Sequence, residues 1–319
     1  MQAKRPGITD RLIRDPQAER RMLAAALRAH PASIPPQYFY DPLGCALYGA
    51  ICELPEYYPT RTERAIFEEY RAEIADCIGE RTQFVDLGAG DGAKAEAWLP
   101  YVAPSRYLAV DIAHEAIERT LARLATKFPS IPLHGVVTDF TAGLDLGGDL
   151  DTGPTTFFYP GSSIGNFTPE EAIEFMRSVQ LHCASPGSGL LIGVDTKKDA
   201  ARIKAAYDDA LGVTALFNRN VLNHVNRVLA SDFDPTAFAH VGLYAERESR
   251  VEMHLESLMD QVVTIDGESR VFKRGERIHT ENSYKYAPDE FEMLIACAGF
   301  ATVKRWQDAD KDFAVFFAQ

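Results

Sequence analysis

The chain has 319 residues, 46% of them hydrophobic, and a formal net charge of −13 at pH 7. This apolar content is that of an ordinary globular protein, and the length suits two domains or one domain with an insertion. The negative charge disfavours nucleic acid and anionic membrane as partners, and no apolar run is long enough to cross a bilayer.

Residues from Asp10 to about His30 show the periodicity of a helix, with apolar Leu12, Ile13 and Leu27 among charged side chains. This charged start contains no apolar core of a signal peptide, so we expect a cytoplasmic protein. The eight histidines and five cysteines show no metal-ligand spacing, so we expect no metal. We expect a monomer that acts on a small molecule.

The segment from Tyr38 to Arg61 is dense in tyrosine and proline. Tyrosines usually pack in a core with their hydroxyls at the surface. The alternative is a rigid loop around Tyr57 that offers hydroxyls to a ligand, because prolines frame this part of the segment. A helix is predicted to follow, from Thr62 to Ile78, with Thr60 or Thr62 as its N-cap.

A glycine-rich turn follows a short apolar strand at residues 84–87. Gly88, Gly90 and Gly92 stand at every second position, and a helix is predicted directly after them, from Ala93 to Leu99. Glycine permits positive φ and lets a ligand approach the backbone, and the helix N-terminus adds free N–H groups. Two cofactor classes use such a turn, although a turn without a ligand has the same pattern.

Three strands in succession end in an aspartate. Asp86 precedes the glycine turn, Asp111 ends the strand Tyr107–Asp111, and Asp139 ends the strand that begins at Gly135. A single aspartate of this kind is more often a helix cap, but three at βα spacing indicate a nucleoside site. Negative charge at the turn would repel a pyrophosphate and suits an amino-acid cation.

The D-x-G-x-G-x-G segment that begins at Asp86 resembles the first motif of class I S-adenosylmethionine (SAM) methyltransferases. In that family the turn holds the methionine end of SAM. The resemblance implies that Asp111 binds the ribose hydroxyls and Asp139 the adenine amino group, with Phe140 packing on the ring. The alternative is a nicotinamide oxidoreductase, although the motif of that class typically reads G-x-G-x-x-G.

Asn166 lies in a loop after the next predicted strand, Thr155 to Tyr159. Ligands of open α/β sheets bind beyond the carboxyl ends of the strands, so Asn166 falls where a substrate would meet the cofactor. After a further strand, Leu190 to Asp195, the alternating pattern breaks, and residues 197–285 hold the helices and strands of a second lobe. A helix and two strands from Pro288 onward then complete the sheet.

The segment Arg274–Tyr286 is unusually polar and stands between apolar segments. A solvated hairpin is the simpler interpretation of such a segment. The alternative is a strand on which Glu281 and Ser283 alternate on one face and point into a pocket.

Six segments together resemble the L-histidine Nα-methyltransferases, which make hercynine at the start of ergothioneine biosynthesis. They are YFYDPLG, LPEYYPTR, the glycine turn, FFYPGSSIGNF, AAYDDALGVTALFNRN and ERIHTENSYKY, spread over nearly the whole chain. The resemblance implies an α/β fold, in which a class I SAM-methyltransferase doubly wound sheet carries a second, smaller α+β substrate-binding lobe. The SAM-binding domain would comprise 61–196 and 286–319, and the substrate-binding lobe 1–60 and 197–285.

The resemblance also implies roles for individual residues. The residues implied to contact SAM are Gly88, Gly90, Lys94, Asp111, Asp139 and Phe140. The residues implied to bind the substrate are Tyr48, Tyr57, Asn166, Tyr207, Met253, Glu281 and Ser283, of which Glu281 and Ser283 bond the imidazole. The residues implied to act in catalysis, at the substrate carboxylate and amine, are Asn166, Tyr207 and Tyr40. Asn282 stands where the family often has an apolar residue, and this change bears on the selectivity pocket.

The implied reaction transfers three methyl groups from SAM to the α-amino nitrogen of L-histidine without a metal. The amine must be neutral when it attacks, and the protein mainly supplies alignment. Two alternatives stay open on the sequence alone. One is a methyltransferase of the same fold that acts on another amine or amino acid, and the other is a binding module that retains SAM without turnover.

Overall fold

A computed structural model describes residues 6–12 and 15–319, which divide into two compact units. The first unit consists of the described part of Met1–Ile13 together with Thr62–Thr196 and Tyr286–Gln319. The second consists of the described part of Arg14–Arg61 together with Lys197–Lys285. No helix within these described ranges is long and apolar enough to span a membrane.

The elements alternate regularly in the first unit and are mixed in the second. The strands are β1 (Gly7–Asp10), β2 (Ala32–Ser33), β3 (Gln83–Leu87), β4 (Arg106–Asp111), β5 (Leu133–Val137), β6 (Thr155–Tyr159), β7 (Gly189–Asp195), β8 (Phe238–Ala245), β9 (Arg250–Ser257), β10 (Gln261–Ile265), β11 (Glu268–Phe272), β12 (Arg277–Tyr284), β13 (Val303–Gln307) and β14 (Phe313–Ala318). The helices are α1 (Pro16–Arg28), α2 (Pro42–Cys52), α3 (Tyr58–Glu69), α4 (Arg71–Ile78), α5 (Ala93–Glu96), α6 (Leu99–Val102), α7 (His114–Lys127), α8 (Pro169–Gln180), α9 (Ala200–Tyr207), α10 (Val213–Leu229) and α11 (Pro288–Cys297).

The first unit is built on an eight-stranded sheet in the order β1-β5-β4-β3-β6-β7-β14-β13. The strands from β1 to β7 in this order pair in parallel, and β14 and β13 add antiparallel pairs at the far edge. All residues of β3, β6 and β7 are buried, as expected for strands of a parallel sheet covered on both faces. The predicted α/β doubly wound fold is confirmed, including the closing helix and strand pair.

The edge strand β1 corrects the predicted start of the chain. Gly7–Asp10 pairs in parallel with β5, so this stretch belongs to the sheet of the first unit and not to the second lobe. The predicted helix from Asp10 begins only at Pro16, where Asp15 accepts hydrogen bonds from the first turn and proline needs no N–H partner. Ile13, which the prediction placed in that helix, lies outside the described residues.

Proline also explains two helices whose predicted bounds are wrong. The predicted helix from Thr62 begins earlier, at Tyr58, because Pro59 occupies its first turn, and it breaks at Tyr70 into α3 and α4. The end of the predicted tyrosine loop is therefore helical. The helix predicted after the glycine turn is two short helices, because Pro100 removes the N–H that would bond to Glu96 and opens α6 instead.

The second unit holds a four-stranded sheet in the order β2-β12-β9-β8 and a separate hairpin of β10 and β11. Helix α10 lies against α2, β8 and β9. Apolar residues recur every three or four positions along α10. One stripe of the helix is therefore buried in the core of this unit. The core residues of this stripe are Phe217, Val221, Leu222, Val225 and Leu229.

Candidate active site

The glycine turn joins β3 to α5 at the carboxyl edge of the first unit's sheet. Gly88, Gly90 and Gly92 all have positive φ, at 70°, 52° and 65°, which side chains other than glycine rarely adopt. The N–H of Gly88 donates to the carbonyl of Val110 at 2.9 Å, so the turn is pinned to the neighbouring strand β4. The turn therefore has a fixed backbone, and a ligand meets no Cβ at the three glycine positions.

Asp111 at the end of β4 shapes this turn. Its Oδ2 accepts from the N–H of Gly90 and its Oδ1 accepts from the N–H of Ala113, both at 2.9 Å. A carboxylate offers about four lone-pair sites, so each oxygen retains capacity for one further donor. This is the arrangement that a pair of ribose hydroxyls requires, and it fits the nucleoside part of SAM.

Asp86 lies beneath the turn and differs from Asp111 in its surroundings. It is buried at 3% exposure, and the hydroxyl of Tyr107 donates to its Oδ2 at 2.8 Å. Burial raises the pKa of Asp86 to about 7, and burial also raises the pKa of Tyr107. Asp86 thus changes its charge near neutral pH, and because its side chain is buried and bonded to Tyr107 it supports the strand that leads into the turn.

The raised pKa of Asp86 predicts a specific pH dependence of stability. The folded chain binds this proton more tightly than the unfolded chain, so stability falls as the pH rises from near 4 towards 7. We expect Asp86→Asn to remove this part of the fall, which thermal melts of the SAM-free protein at pH 5 and pH 8 measure. The exposed Asp145→Asn is the matched control, and equal pH slopes for wild type and Asp86→Asn would contradict the assignment.

Lys94 is held by a residue that the sequence did not point to. Its Nζ lies 2.6 Å from Oε2 of Glu63, which is 1% exposed, and Oε1 of Glu63 accepts from the N–H of Gly161 at 2.6 Å. Gly161 has a φ of 83°, which favours glycine, and a Cβ there would come within 2.7 Å of the Lys94 Nζ. Glu63 therefore ties the lysine after the glycine turn to the loop after β6.

Asp139 and Phe140 stand two and three residues after the end of β5. Oδ1 of Asp139 accepts from the N–H of Thr141 at 3.0 Å, which caps a single 3₁₀ turn. The Phe140 ring lies edge-on to Tyr159, and it approaches within 3.7 Å of the position that a Cβ of Gly88 would take. The structure thus brings Phe140 and the glycine turn together, as a ring-binding wall requires.

Asn166 ends a short 3₁₀ helix, Ser163–Asn166, in the loop after β6. The loop is anchored by Ser162, which has a left-handed φ of 57° and whose Oγ accepts from the N–H of Asp195 at 2.9 Å. Asn166 itself is partly buried. The loop thus presents its asparagine from a fixed backbone at the carboxyl end of the parallel strands.

In the second unit, a β-bulge on β12 decides which way Glu281 points. Before the bulge Ile278 pairs with Leu255, and after it Glu281 pairs with Met253. Leu255 and Met253 are two residues apart on β9 and both are buried, so Ile278 and Glu281 face the same core. Without the bulge, a spacing of three residues would put them on opposite faces. Ser283 follows Glu281 by two residues and shares its face.

Asn282 lies on the opposite face of β12. It pairs with Glu252, and its Oδ1 lies 2.9 Å from Nε2 of His279. Its side chain therefore points away from the face that carries Glu281, and its bearing on the selectivity pocket stays a prediction.

Glu281 and Ser283 have different surroundings on their shared face. Ser283 is buried, and its Oγ lies 2.9 Å from Oη of Tyr207 at the end of α9. The carboxylate of Glu281 accepts no hydrogen bond from the described residues. Burial raises the pKa of Glu281 to about 7, and the positive charge of Lys285 opposes this shift. The face of β12 therefore carries the Glu281 carboxylate, which has no donor among the described residues, and the hydroxyl of Ser283, which lies against that of Tyr207.

Four tyrosines form a continuous ring-to-ring chain in the second unit. The centroid distances are 6.0 Å from Tyr40 to Tyr48, 6.4 Å from Tyr48 to Tyr57 and 6.1 Å from Tyr57 to Tyr207, all edge-on. Tyr57 is 8% exposed and Tyr40 is 48% exposed, so the chain runs from the core to the surface. Burial raises the pKa values of Tyr48 and Tyr57, so both remain neutral phenols.

A family model described as histidine-specific, SAM-dependent methyltransferase matches residues 19–319. The chain belongs to this family. It is therefore a SAM-dependent methyltransferase, as the resemblance of its motifs predicts, and the nicotinamide alternative is set aside.

Relatives of the family differ in substrate. A histidine N-α-methyltransferase of Mycolicibacterium smegmatis is 38% identical over 309 residues, which cover 95% of each chain. One of Mycobacterium tuberculosis is 35% identical over 94% of each chain. More distantly, an L-tryptophan methyltransferase of Psilocybe serbica is 26% identical over 89% of this chain and 87% of its own. The choice of amino-acid substrate for this chain therefore depends on the residues that contact the substrate's ring.

Proposed function

We propose that this protein transfers three methyl groups from SAM to the α-amino nitrogen of L-histidine and so forms hercynine, the first step of ergothioneine biosynthesis. The observation that carries the proposal is the polar pair on β12. Glu281 provides an acceptor that has no donor among the described residues, and Ser283 provides a hydroxyl on the same face of the strand. An imidazole ring needs one partner for each of its two nitrogens, and an indole has one nitrogen only.

The cofactor half of the proposal rests on the first unit. SAM supplies a methyl group that its sulfonium charge already activates. Gly88 and Gly90 give the methionine end a backbone without side chains, and Asp111 accepts from the ribose hydroxyls. We assign the adenine amino group to Asp139 and the ring face to Phe140. The ammonium of Lys94 is assigned to the SAM carboxylate.

The substrate half rests on the residues whose roles the family resemblance implies. Asn166 and Tyr207 are assigned to the carboxylate and amine of histidine, and Met253 and Tyr48 to the wall of the ring pocket. Tyr40 and Tyr57 complete the surroundings of the amine. Burial raises the pKa of Tyr57 and keeps its phenol neutral, and such a ring suits a nitrogen that becomes a quaternary ammonium after three transfers, because aromatic faces attract cations.

These residues act mainly through alignment. Methyl transfer requires a neutral amine whose lone pair points at the methyl carbon in line with the bond that breaks, and ordering two reactants in this way removes much of the barrier. Holding the substrate by its carboxylate and its ring fixes the amine between two anchored ends. The proposal retains the expected metal-free reaction, the cytoplasmic location and the monomeric state.

Mass spectrometry of histidine incubated with the protein and SAM tests the proposal. We expect products with one, two and three added methyl groups that converge on the trimethylated form. Tryptophan and phenylalanine in parallel reactions test the second candidate, a methyltransferase for another amino acid, which the relative from Psilocybe serbica favours. Methylation of either of these in preference to histidine would overturn the histidine assignment and retain the SAM assignment.

A further inference from the structure

Helix α10 places one buried asparagine against the bulge of β12. Asn218 is 0% exposed, and its Nδ2 donates to the carbonyl of His254 on β9 at 3.0 Å. Its Oδ1 accepts from the hydroxyl of Thr280 on β12 at 2.8 Å. A buried amide is costly unless its polar atoms are bonded, and this amide is bonded to both strands of the pair that contains the bulge.

Thr280 is the extra residue that the bulge inserts into β12. His279 pairs with His254 and Glu281 pairs with Met253, so Thr280 stands between two successive pairs. Its side chain is 0% exposed, and its hydroxyl also lies 3.0 Å from the carbonyl of Met253. A bulge interrupts the ladder of backbone hydrogen bonds. At this bulge, side-chain donors therefore reach the carbonyls of two successive residues on the opposite strand.

A histidine on β8 fixes the orientation of the Asn218 amide. The carbonyl of Tyr207 can only accept, so Nε2 of His240, which lies 2.8 Å from it, bears a hydrogen. Burial lowers the pKa of His240, which favours a neutral ring whose Nδ1 accepts from Nδ2 of Asn218 at 2.8 Å. Nδ2 therefore faces two acceptors, and Oδ1 is the atom that remains for the hydroxyl of Thr280.

We infer that Asn218 and Thr280 are positioning residues that hold the bulge of β12 and so keep the Glu281 carboxylate directed at the substrate ring. Glu281 directly follows Thr280, and if Thr280 took a regular place in the ladder, Glu281 would turn to the opposite face. This inference rests on the proposed function and adds two residues that determine its ring specificity. Both act through Glu281, and neither is assigned a contact with the substrate.

The polarity of this buried pair supports such a role. Replacing both partners of a buried hydrogen bond by apolar groups of the same shape is nearly neutral for stability, so stability alone does not call for an amide and a hydroxyl here. What the pair adds is direction. Its hydrogen bonds form only when Thr280 stands out of the ladder, whereas apolar contacts would tolerate either register of the strands.

Steady-state kinetics with histidine tests the inference through a double-mutant cycle. Thr280→Val keeps the shape of the side chain and removes the hydroxyl. We expect it to lower kcat/KM for histidine about tenfold in the wild-type background. When Glu281 is already alanine, we expect less than about a twofold effect, because the carboxylate through which Thr280 acts is then absent. The Kd of SAM, measured by calorimetry, should stay unchanged in Thr280→Val.

Three further variants make the cycle specific. Thr280→Ser retains the hydroxyl and should restore kcat/KM to within about twofold of wild type. Thr156→Val on β6 is the matched control, because Thr156 is also 0% exposed and its hydroxyl has no hydrogen-bond partner among the described residues. It should leave kcat/KM unchanged. If thermal melts show that Thr280→Val does not fold, Asn218→Ala takes its place in the same cycle with Glu281→Ala.

The possible outcomes separate the two proposals. Full turnover in Thr280→Val, or a loss that is as large in the Glu281→Ala background as in wild type, would mean that the pair only supports the fold. The positioning role would then fall while the proposed function stands. If the wild-type protein leaves histidine unmethylated, the proposed function and this inference both fail. A loss that depends on Glu281 and that Thr280→Ser restores confirms the positioning role.

Discussion

Replacing Glu281 by alanine is expected to lower kcat/KM for histidine about 100-fold while the Kd of SAM stays unchanged. The carboxylate would accept a charge-assisted hydrogen bond from the ring, and such bonds contribute about 1.5–3 kcal/mol. Without it the ring N–H is buried unpaired, which is the situation that selective sites use to reject analogues. Steady-state kinetics with histidine and calorimetry with SAM provide the two measurements.

Two further variants make this result specific. Glu281→Gln keeps the shape and one acceptor oxygen but loses the charge, so we expect an intermediate loss. Glu256→Ala, on the neighbouring strand and paired with Arg277 at the surface, removes a carboxylate of the same sheet and should leave turnover unchanged. Equal turnover in wild type and Glu281→Ala would end the assignment of Glu281 to the ring.

The sequence was most informative where residue pattern and local structure agree. Strand β6 lies at the predicted residues, because an apolar run acts within a few positions, and the Thr168 capping box that begins α8 is equally local. The edge strand β1 was missed, because its four residues are exposed or partly buried and have no strand pattern of their own. Its partner, β5, is more than a hundred residues away in the chain.

In the candidate site too, the sequence predicts the local features and misses those that depend on distant partners. The alternation that places Glu281 and Ser283 on one face of β12 can be read from the sequence, and it continues to Lys285, two residues further on. The sequence does not reveal the bulge that turns the side chains of Glu281 and Ser283 towards the core, because a bulge is a property of the pairing of β12 with β9. Glu63 gave no sequence signal, because its partners Lys94 in α5 and Gly161 in the loop after β6 are distant in the chain.

Asp111→Ala is expected to raise the Kd of SAM about 100-fold. The variant removes the acceptor of the Gly90 N–H, which holds the glycine turn in shape, and it removes the two oxygens assigned to the ribose hydroxyls. Asp111→Asn should be nearly as damaging, because both oxygens accept from backbone N–H groups and an amide NH₂ would face one of them.

Calorimetry with SAM and with histidine distinguishes this loss from general unfolding. The variant leaves unchanged the residues of the second unit that are assigned to the substrate histidine. A folded variant should therefore retain the Kd of histidine when the Kd of SAM rises. Glu115→Ala, on the exposed side of α7 four residues after Asp111, is the control and should bind SAM as wild type does. Because the loss is one of binding, kcat should recover at saturating SAM. An unchanged Kd of SAM in Asp111→Ala would contradict the assignment of Asp111 to the ribose hydroxyls.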